Sequence, residues 1–442
     1  MKITIQPGKI SGEIAAIPSK SHLHRLLIYA ALADRDTLIS CAVTEAEDIK
    51  ATVACLSALG AVIAENEDGF AVTPINRGAV PLGVDEPVYL PCEESGSTLR
   101  FMLPVVCALG VRGAFEMKGR LPQRPLEPLD AQLESHGVHL SRSENFLYCE
   151  GQLLPGDYNL PGNVTSQYIT GLLMALPLLE TSSNLFVTAP IESVDYIKMT
   201  LDVAEAFGGK PEIIHHNYKE SANSRFDSRR EVEYKIRSVG IFESPGMVKT
   251  EGDWSNGAFW LCAGAMPGGN ILVSGLKKDS SQGDRRIFDI LTKMGASTSW
   301  ENEKIRIKSQ SRHGIEIDGS DIPDLLPVLA AVAAVGTGTT VFRNASRLRI
   351  KESDRLTSTA KTLSSLGANI QETADGLRIE GIDSLKGGTA DAFGDHRIAM
   401  TAAIASAACN RHVTVTGAQA VNKSYPRFWA DLASLGKKVF EE

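Results

Sequence analysis

One segment recurs six times along the 442 residues of the chain. In each copy, an amphipathic run with helical spacing ends near a glycine and is followed by a strand-like segment. The marker glycines are Gly60, Gly137, Gly208, Gly295, Gly367 and Gly436. Their separations of 77, 71, 87, 72 and 69 residues define a repeat of about seventy residues. A glycine just past a helix end supplies the left-handed residue that commonly caps a helix, so these positions predict six helix ends.

A second helix, more apolar and rich in small residues, precedes each amphipathic one. Helices that are apolar on most sides are buried. The six predicted buried helices are His22–Ala33, Gly96–Leu109, Ser166–Leu179, Ser255–Ala265, Ile322–Val335 and His396–Cys409. Alternating segments beside the helices predict strands at Ile3–Ile5, Val72–Pro74, Asn184–Thr188, Ile271–Val273, Thr339–Phe342 and His412–Thr416. Each repeat is therefore predicted to contain strands around one buried and one exposed helix.

Six such repeats exceed what one hydrophobic core holds, so two lobes of three repeats are expected. The longest interval contains His215–Arg237, a polar stretch with little periodicity. We interpret it as an exposed excursion or a long hairpin. The boundary between the lobes is predicted just after it, near Val239–Gly246.

Composition narrows the class of protein. A hydrophobic content of 43% with 6% aromatic residues is ordinary for a soluble α/β or α+β chain. No apolar run reaches a membrane span, and the start of the sequence has no signal or transit character, so we expect a cytoplasmic protein. The seven cysteines are scattered and form no CxxC pair, which favours buried free thiols over disulfides or a zinc site.

The charge balance restricts the ligands. A net charge of -8 and a pI near 5.7 argue against a general nucleic-acid footprint. Positive charge is concentrated locally instead. Between positions 343 and 355 lie five cations and two anions, namely Arg343, Arg347, Arg349, Lys351, Arg355, Glu352 and Asp354. An anionic ligand must therefore be met by a focused pocket.

Lys351 and Arg355 are four residues apart and would share a face in a helical turn, with Glu352 three residues before Arg355. Such a turn can grip a small doubly charged anion and hold one carboxyl for proton transfer. The alternative is a solvent-exposed, salt-bridged helix start.

The predicted buried helices begin with polar residues. Ser, Thr and Asp at these positions are ordinary caps, but the accompanying charges exceed what capping needs. The starts are Ser19-Lys20-Ser21 with Arg25, Ser95-Gly96-Ser97-Thr98 with Arg100, Thr165-Ser166-Gln167, Asp321-Ile322-Pro323-Asp324 and Asp395-His396-Arg397, and Lys423-Ser424 precedes Pro426 at the last helix. Helix N-termini attract anions, so several at one cleft would bind phosphates and carboxylates. Taken singly, Lys20 could be surface charge, Ser166 a cap, Asp324 a first-turn carboxylate and Arg397 a partner of Asp395.

Eight motifs in this order resemble the enolpyruvyl transferases, and among them the 5-enolpyruvylshikimate-3-phosphate (EPSP) synthase family. The resemblance spans essentially the whole chain. Its motifs are Pro18–Ser21, Ser95–Arg100, Gln123–Leu126, Thr165–Gln167, Ile322–Asp324, Arg349–Leu356, Gly394–Met400 and Lys423–Pro426.

The resemblance implies a mixed α/β fold of two lobes, each an inside-out barrel of three βαβαββ repeats. The N-termini of the buried helices then point toward the cleft between the lobes. In this family the chain crosses between the lobes twice. The expected domains are therefore an N-terminal lobe of residues 20–240 and a C-terminal lobe of residues 1–19 with 241–442.

The resemblance also implies the reaction. The enolpyruvyl group of phosphoenolpyruvate is transferred to the 5-hydroxyl of shikimate 3-phosphate through a tetrahedral intermediate, and phosphate is released. No metal and no organic cofactor is implied, and the partners are the two small-molecule substrates rather than nucleic acid or a membrane. A monomer is expected.

The family's functional residues map onto matching positions of this sequence. Shikimate 3-phosphate is expected to contact Ser21, Arg25, Thr165, Ser166, Gln167, Ser193, Tyr196, Asp324 and Lys351. Phosphoenolpyruvate is expected to contact Lys20, Gly96, Arg124, Arg355, Arg397 and Lys423. By the same resemblance, Glu352 exchanges a proton with the methylene or methyl carbon, and Asp324, with Lys20, acts as the base at the hydroxyl.

Two positions depart from the family pattern. Glu93-Glu94 stand where Gly-Asn is usual. A carboxylate there would repel phosphoenolpyruvate unless it is paired or turned away. Arg347 stands where relatives carry asparagine or another residue, so no role is assigned to it.

Two other functions compete with this interpretation. The sister transferase acting on UDP-N-acetylglucosamine typically carries a reactive cysteine in a cleft loop, but the segment Arg120–Arg124 has none. A non-catalytic protein that binds anions or RNA termini could be built from similar repeats. Asp324 and Glu352 argue against it, because binding anions gives no reason to place acids in the pocket.

Overall fold

The computed structural model describes residues 1–42, 44–216 and 231–442. Within these ranges the chain forms twelve α-helices and twenty-four β-strands. The helices are Lys20–Ala31 (α1), Glu47–Ala58 (α2), Gly96–Ala108 (α3), Leu129–Ser135 (α4), Ser166–Ala175 (α5), Val194–Ala206 (α6), Trp254–Ala265 (α7), Ile287–Lys293 (α8), Leu326–Ala333 (α9), Arg355–Ser365 (α10), His396–Ala405 (α11) and Phe428–Ser434 (α12).

The strands are mostly short, of three to six residues. They are Lys2–Ile5 (β1), Ser11–Ala15 (β2), Thr37–Ser40 (β3), Val62–Asn66 (β4), Gly69–Thr73 (β5), Val88–Glu93 (β6), Gly113–Met117 (β7), Val138–Ser143 (β8), Phe146–Gly151 (β9), Asp157–Pro161 (β10), Ser183–Thr188 (β11), Glu212–His216 (β12), Glu231–Ile236 (β13), Met247–Lys249 (β14), Asn270–Ser274 (β15), Ser297–Glu301 (β16), Lys304–Lys308 (β17), Glu316–Asp318 (β18), Thr339–Arg343 (β19), Asn369–Glu372 (β20), Leu377–Glu380 (β21), Gly388–Asp391 (β22), Val413–Thr416 (β23) and Val439–Glu441 (β24).

The described strands form six four-stranded sheets that share one topology. In the sheet β10-β11-β13-β12, the first pair is parallel and the other two pairs are antiparallel. The chain order β10, α5, β11, α6, β12, β13 is a βαβαββ repeat. The sheets β6-β7-β9-β8 and β18-β19-β21-β20 have the same order. Helix α5 connects the parallel pair β10-β11, because parallel neighbours need a crossover connection, which is usually an α-helix.

The other three sheets each take one strand from a distant part of the chain. Strand β14 pairs parallel with β3, and β2 pairs parallel with β15. Strand β1 lies between β23 and β24 and is antiparallel to both. Six sheets with one topology, together with the alternating helices, confirm the predicted mixed α/β class.

The chain divides into two compact units. The N-unit is Lys20–Thr250, and the C-unit is Met1–Ser19 with Glu251–Glu442. Each has its own hydrophobic core. Residues 241–250, expected with the C-terminal lobe, belong to the N-unit because β14 completes the β3 sheet and Thr250 N–H donates to Ser40 O at 2.9 Å.

The more apolar helices are buried, as predicted. These are α1, α3 and α5 in the N-unit and α7, α9 and α11 in the C-unit. All six marker glycines have positive φ, between 74° and 101°, and each lies two residues beyond the end of an amphipathic helix. Their predicted role as left-handed caps is confirmed.

Several predicted helix bounds were wrong. Helix α9 begins at Leu326 rather than Ile322, so Asp324 lies in the turn before it. Helices α5 and α11 end earlier than predicted and continue as short 3-10 turns at Leu176–Leu178 and Ser406–Ala408. Lys20, placed before the first helix, is its first residue.

The predicted helical turn joining Lys351 to Arg355 is also wrong. A 3-10 turn ends at Ile350, the next four residues are not helical, and α10 begins at Arg355. The Asp354 side chain accepts a hydrogen bond from Thr357 N–H at 3.2 Å, and this cap fixes the start of the helix.

Three further predictions concern thiols, membranes and the long interval. All seven cysteines are free and six are buried, as expected. No helix in the described ranges is long and apolar enough to cross a membrane. Residues 217–230 of the excursion lie outside the described residues, and its two flanks belong to the antiparallel strands β12 and β13.

Candidate active site

In the C-unit, one buried guanidinium holds three carboxylates. Arg355, 1% exposed, donates from Nη1 to Asp324 Oδ1 at 2.7 Å and from Nη2 to Glu352 Oε2 at 2.7 Å. Its Nε donates to Asp395 Oδ2 at 2.8 Å. Burial would lower the pKa of Arg355, but the three carboxylates outweigh it and raise the pKa. Arg355 therefore stays charged and joins the two predicted catalytic acids.

Asp324 contacts a second guanidinium. Its Oδ2 lies 3.1 Å from Arg397 Nη2, and its carbonyl oxygen accepts from Arg397 Nη1 at 3.2 Å. Burial would raise the pKa of Asp324, but Arg397, Lys351 and Arg355 together lower it. Asp324 is therefore ionised, as a base must be before it accepts a proton.

Asp395 connects helix α11 to this cluster. Its Oδ1 caps α11 by accepting from Arg397 N–H at 2.9 Å, and its Oδ2 accepts from Ser353 Oγ at 3.1 Å and from Arg355. The side chain of Arg397 contacts Asp324, whereas Asp395 bonds to the Arg397 backbone. The sequence predicts Asp395 as a polar helix start or as a partner of Arg397, but not as a partner of Arg355.

Lys351 and Arg347 lie beside the same cluster. Burial lowers the pKa of Lys351 to about 8, Asp324 opposes this shift, and Arg355 and Arg347 add to it. Arg347, to which no role was assigned, is thus close enough to act on Lys351. Lys423 is 6% exposed and ends the 3-10 turn Ala418–Lys423, which packs against α11.

Asp284 is a buried acid that sequence reasoning missed. It accepts a hydrogen bond from Ser255 Oγ in the first turn of α7. Burial raises its pKa to about 7, and Asp324 adds to the shift while Arg397 opposes it. Helix α7 is capped by Asp253, which accepts from Asn256 N–H at 2.7 Å. It meets the cluster through Asp284, a residue of the 3-10 turn Gly283–Arg286.

In the N-unit, the first buried helix presents Lys20. Its Nζ lies 2.5 Å from Asp48 Oδ2 in the first turn of α2, and the carboxylate side chain is only 6% exposed. Sequence reasoning missed Asp48 because it considered only the starts of the buried helices. Asp48 fixes where the lysine charge is held.

Gly96 is the first residue of α3, and Ser95 caps this helix by accepting from Thr98 N–H at 3.2 Å. A Cβ on Gly96 would lie 2.6 Å from Nη1 of Arg124 and 2.8 Å from Nη1 of Arg100. The missing side chain therefore lets both guanidinium groups approach the helix start. Such a combination of backbone amides and cations suits a phosphate.

Arg100 links this helix to the third buried helix. It donates to Gln167 Oε1 at 2.8 Å and to Pro125 O at 3.0 Å, and Gln167 Nε2 donates to Ser97 Oγ at 3.0 Å. The Thr165 hydroxyl caps α5 by accepting from Gln167 N–H at 3.2 Å, and Ser166 is buried beside it. The predicted Thr165-Ser166-Gln167 group is thus held next to the start of α3.

Arg25 gathers the remaining predicted residues of the N-unit. Its Nη1 donates to Ser21 O at 2.6 Å, its Nη2 to Tyr196 O at 3.0 Å and its Nε to Thr200 Oγ1 at 2.8 Å. Ser193 is buried with φ of 56° at the residue before α6, which carries Tyr196. These contacts bring Ser21, Arg25, Ser193 and Tyr196 to adjoining helix starts.

The unusual acids before Gly96 have distinct environments. Glu93, with φ of 52°, pairs with Lys118 Nζ at 2.8 Å, and its carbonyl accepts from Lys118 N–H at 2.7 Å. The Glu94 side chain is exposed and lies over Gly119, where a Cβ would collide with it. The Glu93 carboxylate is therefore paired, which is one of the two conditions under which it would not repel phosphoenolpyruvate.

The two clusters have complementary chemistry. The N-unit holds cations and helix amides that suit oxyanions, and the C-unit holds cations beside the two predicted catalytic acids, Asp324 and Glu352. Among proteins of known family, the model of the family described as EPSP synthase (3-phosphoshikimate 1-carboxyvinyltransferase) matches residues 5–432. The chain belongs to this family.

Similar proteins agree. The 3-phosphoshikimate 1-carboxyvinyltransferase of Clostridium acetobutylicum is 40% identical over 442 residues, covering 99% of this chain and 98% of the relative. The Clostridioides difficile protein of that name is 39% identical with the same coverage. The predicted family, enzyme class and reaction are confirmed, and transfer to UDP-N-acetylglucosamine is not favoured.

Solved structures confirm the fold. An EPSP synthase from Acinetobacter baumannii superposes with a TM-score of 0.76 at 24% identity and covers all of both chains. The enolpyruvyl transferase NikO from Streptomyces tendae gives a TM-score of 0.75 at 18% identity, covering 99% of this chain and 98% of that one. At these identities the likeness concerns architecture alone.

Proposed function

We propose that the residues at these helix starts carry the enolpyruvyl transfer in the roles that the family pattern gives them. Ser21, Arg25, the Thr165–Gln167 group, Ser193, Tyr196, Asp324 and Lys351 bind shikimate 3-phosphate. Lys20, Gly96, Arg124, Arg355, Arg397 and Lys423 bind phosphoenolpyruvate. Charge-assisted contacts from Arg and Lys match the phosphate and carboxylate oxygens of both substrates.

The contact of Arg355 with both Asp324 and Glu352 carries this proposal, because it sets two acids on one guanidinium. Addition requires a proton at the methylene carbon of phosphoenolpyruvate and removal of one from the attacking 5-hydroxyl. Two carboxyl groups separated by a bound cation can divide these tasks. Glu352 delivers the proton to carbon, and ionised Asp324, with Lys20, accepts the hydroxyl proton.

Elimination reverses one of these transfers. Loss of phosphate from the tetrahedral ketal phosphate restores a carbon–carbon double bond when a methyl proton leaves. Glu352 accepts that proton and so regains the proton that it gave to the carbon in the addition. One residue therefore serves both half-reactions at the same carbon.

The substitution Glu352→Gln tests this assignment. It keeps the size of the side chain and an oxygen for Arg355 but removes the transferable proton. We expect turnover to fall by about 100-fold to 10,000-fold while shikimate 3-phosphate still binds, measured by phosphate release and calorimetry.

Glu372→Gln is the matched control. Glu372 is another ion-paired glutamate of the C-unit, bonded to Arg349 at 2.6 Å and outside the acid cluster. Its replacement should leave turnover within about twofold. Near-normal turnover in Glu352→Gln would remove Glu352 from the proton transfer.

We also propose that the enzyme acts in the cytoplasm as a monomer. Its seven free cysteines support a reducing compartment, where thiols persist. Sedimentation equilibrium at micromolar protein tests the oligomeric state, and a mass of twice 47.5 kDa would contradict a monomer.

A further inference from the structure

A chain of buried hydrogen bonds joins three helices of the N-unit. His24 Nδ1 lies 2.7 Å from Thr52 Oγ1, and Thr52 Oγ1 lies 2.7 Å from Thr98 Oγ1. Thr98 Oγ1 in turn donates to Ser95 Oγ at 2.8 Å. All four residues are fully buried. The chain therefore runs from α1 through α2 to the cap of α3 without reaching solvent.

The position of Thr52 shows that this row of hydrogen bonds aligns α1 with α2. Lys20 and His24 are one turn apart on α1, and Asp48 and Thr52 are one turn apart on α2. Asp48 contacts Lys20, and Thr52 contacts His24, so the two helices are joined at two successive turns. Two neighbouring bonds fix both the separation and the rotation of α1 against α2.

The same hydroxyl also reaches the start of α3. The Thr98 hydroxyl is hydrogen-bonded to the Thr52 hydroxyl and also donates to Ser95 Oγ. Ser95 is the residue just before Gly96. Thr98 Oγ1 lies 3.3 Å from the Asp48 carbonyl as well. Thr52 thus connects the helix that carries Lys20 with the helix that begins at Gly96.

A separate set of contacts holds the other predicted residues. Thr200 Oγ1 accepts from Arg25 Nε at 2.8 Å, lies 2.9 Å from Thr170 Oγ1 and donates to Tyr196 O at 3.0 Å. These bonds join α1, α5 and α6. They share no residue with the Thr52 chain, so the two sets can be perturbed independently.

We propose that Thr52 is a positioning residue for the phosphoenolpyruvate site: its hydroxyl aligns Lys20 and the Gly96 helix start through His24 and Thr98. This inference rests on the proposed assignment of Lys20 and Gly96 to that substrate. Thr52 itself is buried on an amphipathic helix and does not touch the substrate.

The alignment is electrically neutral. Burial lowers the pKa of His24 to about 3, with the Lys20 charge adding to the shift, so the ring is uncharged at neutral pH. A hydroxyl between a neutral ring and another hydroxyl carries no net charge. Loss of Thr52 should therefore change substrate affinity equally across the pH range in which the enzyme works.

The test compares Thr52→Val with Thr52→Ser. Valine keeps the shape of threonine but cannot make either hydrogen bond, whereas serine keeps the hydroxyl. We expect Thr52→Val to raise KM for phosphoenolpyruvate about tenfold, leave KM for shikimate 3-phosphate within about twofold, and be largely restored in Thr52→Ser.

Two further valine variants are matched controls. Thr200→Val removes the hydroxyl that bonds to Arg25, Thr170 and Tyr196, and should raise KM for shikimate 3-phosphate instead. Thr340→Val removes a buried hydroxyl in β19 of the C-unit, which accepts from Ile315 N–H at 3.4 Å, and should lower thermal stability without moving either KM. Melting temperatures of all variants separate stability from positioning.

Several outcomes overturn the inference. An unchanged KM for phosphoenolpyruvate in Thr52→Val, equal increases in both KM values, or failure of Thr52→Ser to restore affinity would each reject a positioning role. Lys20→Met separates this failure from failure of the site assignment. If Lys20→Met weakens the binding of phosphoenolpyruvate and Thr52→Val does not, the assignment of the site stands and the hydrogen bonds of Thr52 are only structural. If neither variant weakens this binding, the site assignment and the positioning role of Thr52 are both wrong.

Discussion

Arg355 illustrates why residue type matters as much as charge at this site. Its three nitrogen atoms donate to carboxylates from three parts of the C-unit, Asp324, Glu352 and Asp395. A guanidinium presents these donors in one rigid plane, whereas an ammonium is a single point at the end of a flexible chain. Only the former can hold three acids at fixed separations.

Arg355→Lys should therefore be severely impaired despite keeping the charge. Loss of two charge-assisted hydrogen bonds should reduce kcat/KM about 100-fold or more. Steady-state kinetics with both substrates would measure it. Arg349→Lys is the control, because Arg349 also contacts two carboxylates, at 3.0 Å from Asp354 and 2.6 Å from Glu372, but its side chain is partly exposed. Similar losses in both variants would show that Arg355 has no special geometry.

Lys351 predicts a pH dependence. Its pKa is lowered to about 8, so the side chain is charged below that pH and neutral above it. Since we propose that Lys351 binds shikimate 3-phosphate, an anion, kcat/KM for this substrate should fall tenfold per unit as the pH rises beyond about 8. Measurement between pH 7 and 10 avoids the second ionisation of the phosphate itself, near 6.

The control is Lys351→Arg, whose guanidinium does not titrate in this range. Its profile should stay level to higher pH even if the absolute rate is lower, because the two cations bind oxyanions differently. A fall near pH 8 that persists in Lys351→Arg would assign the titration to another group.

At the scale of elements, the packing of α3 against α5 depends on one glycine. A Cβ on Gly171 would lie 2.3 Å from Arg100 O and 3.1 Å from Pro104 Cγ. The two helices can approach this closely only because the side chain is missing. The contact keeps the predicted Gly96 and Thr165 starts side by side.

Gly171→Ala should separate these helices and lower the free energy of unfolding by about 1–3 kcal/mol, measured with urea. Gly257→Ala in α7 is the matched control, since the atoms nearest to its Cβ would belong to the Leu276 side chain, at 3.3 Å, rather than to the backbone. Alanine also has the higher helix propensity, by about 1 kcal/mol, so the control should be neutral or stabilising. Equal destabilisation by both would contradict the close-approach argument.

Sequence patterns predicted the repeated elements well where the signal was local. The six marker glycines and the apolar helices follow from side-chain size and periodicity within one segment. The predicted turn from Lys351 to Arg355 failed because periodicity ignored the Asp354 cap, which starts the helix at Arg355. Asp48 and Asp284 were missed because their partners, Lys20 and Ser255, lie 28 and 29 residues away in sequence.

For the whole molecule, the pairing of distant strands was the least predictable feature. Strands β1 and β2 join sheets whose other members lie beyond residue 269, and β14 returns to the sheet of β3. No local pattern specifies such partners. The resemblance placed residues 1–19 with the C-terminal part, whereas β14 moved the other boundary from 240 to 250.

This arrangement predicts that the N-terminal strand stabilises the far end of the chain. Ile5 is fully buried in β1 between β23 and β24, where it pairs with Val413 and Val439. Ile5→Asp buries a carboxylate in the core of the C-unit and should lower the free energy of unfolding of this unit by about 4 kcal/mol or more. The N-unit keeps its own core and should be little affected.

Hydrogen exchange followed by mass spectrometry distinguishes the two units. Protection should fall in residues 251–442 and persist in residues 20–250, because exchange reports the local free energy of opening. Lys2→Asp, at the exposed start of the same strand, should leave both units protected. An equal loss in both units would mean that they unfold as one cooperative body, and unchanged protection of residues 251–442 would mean that β1 contributes little to the sheet it completes.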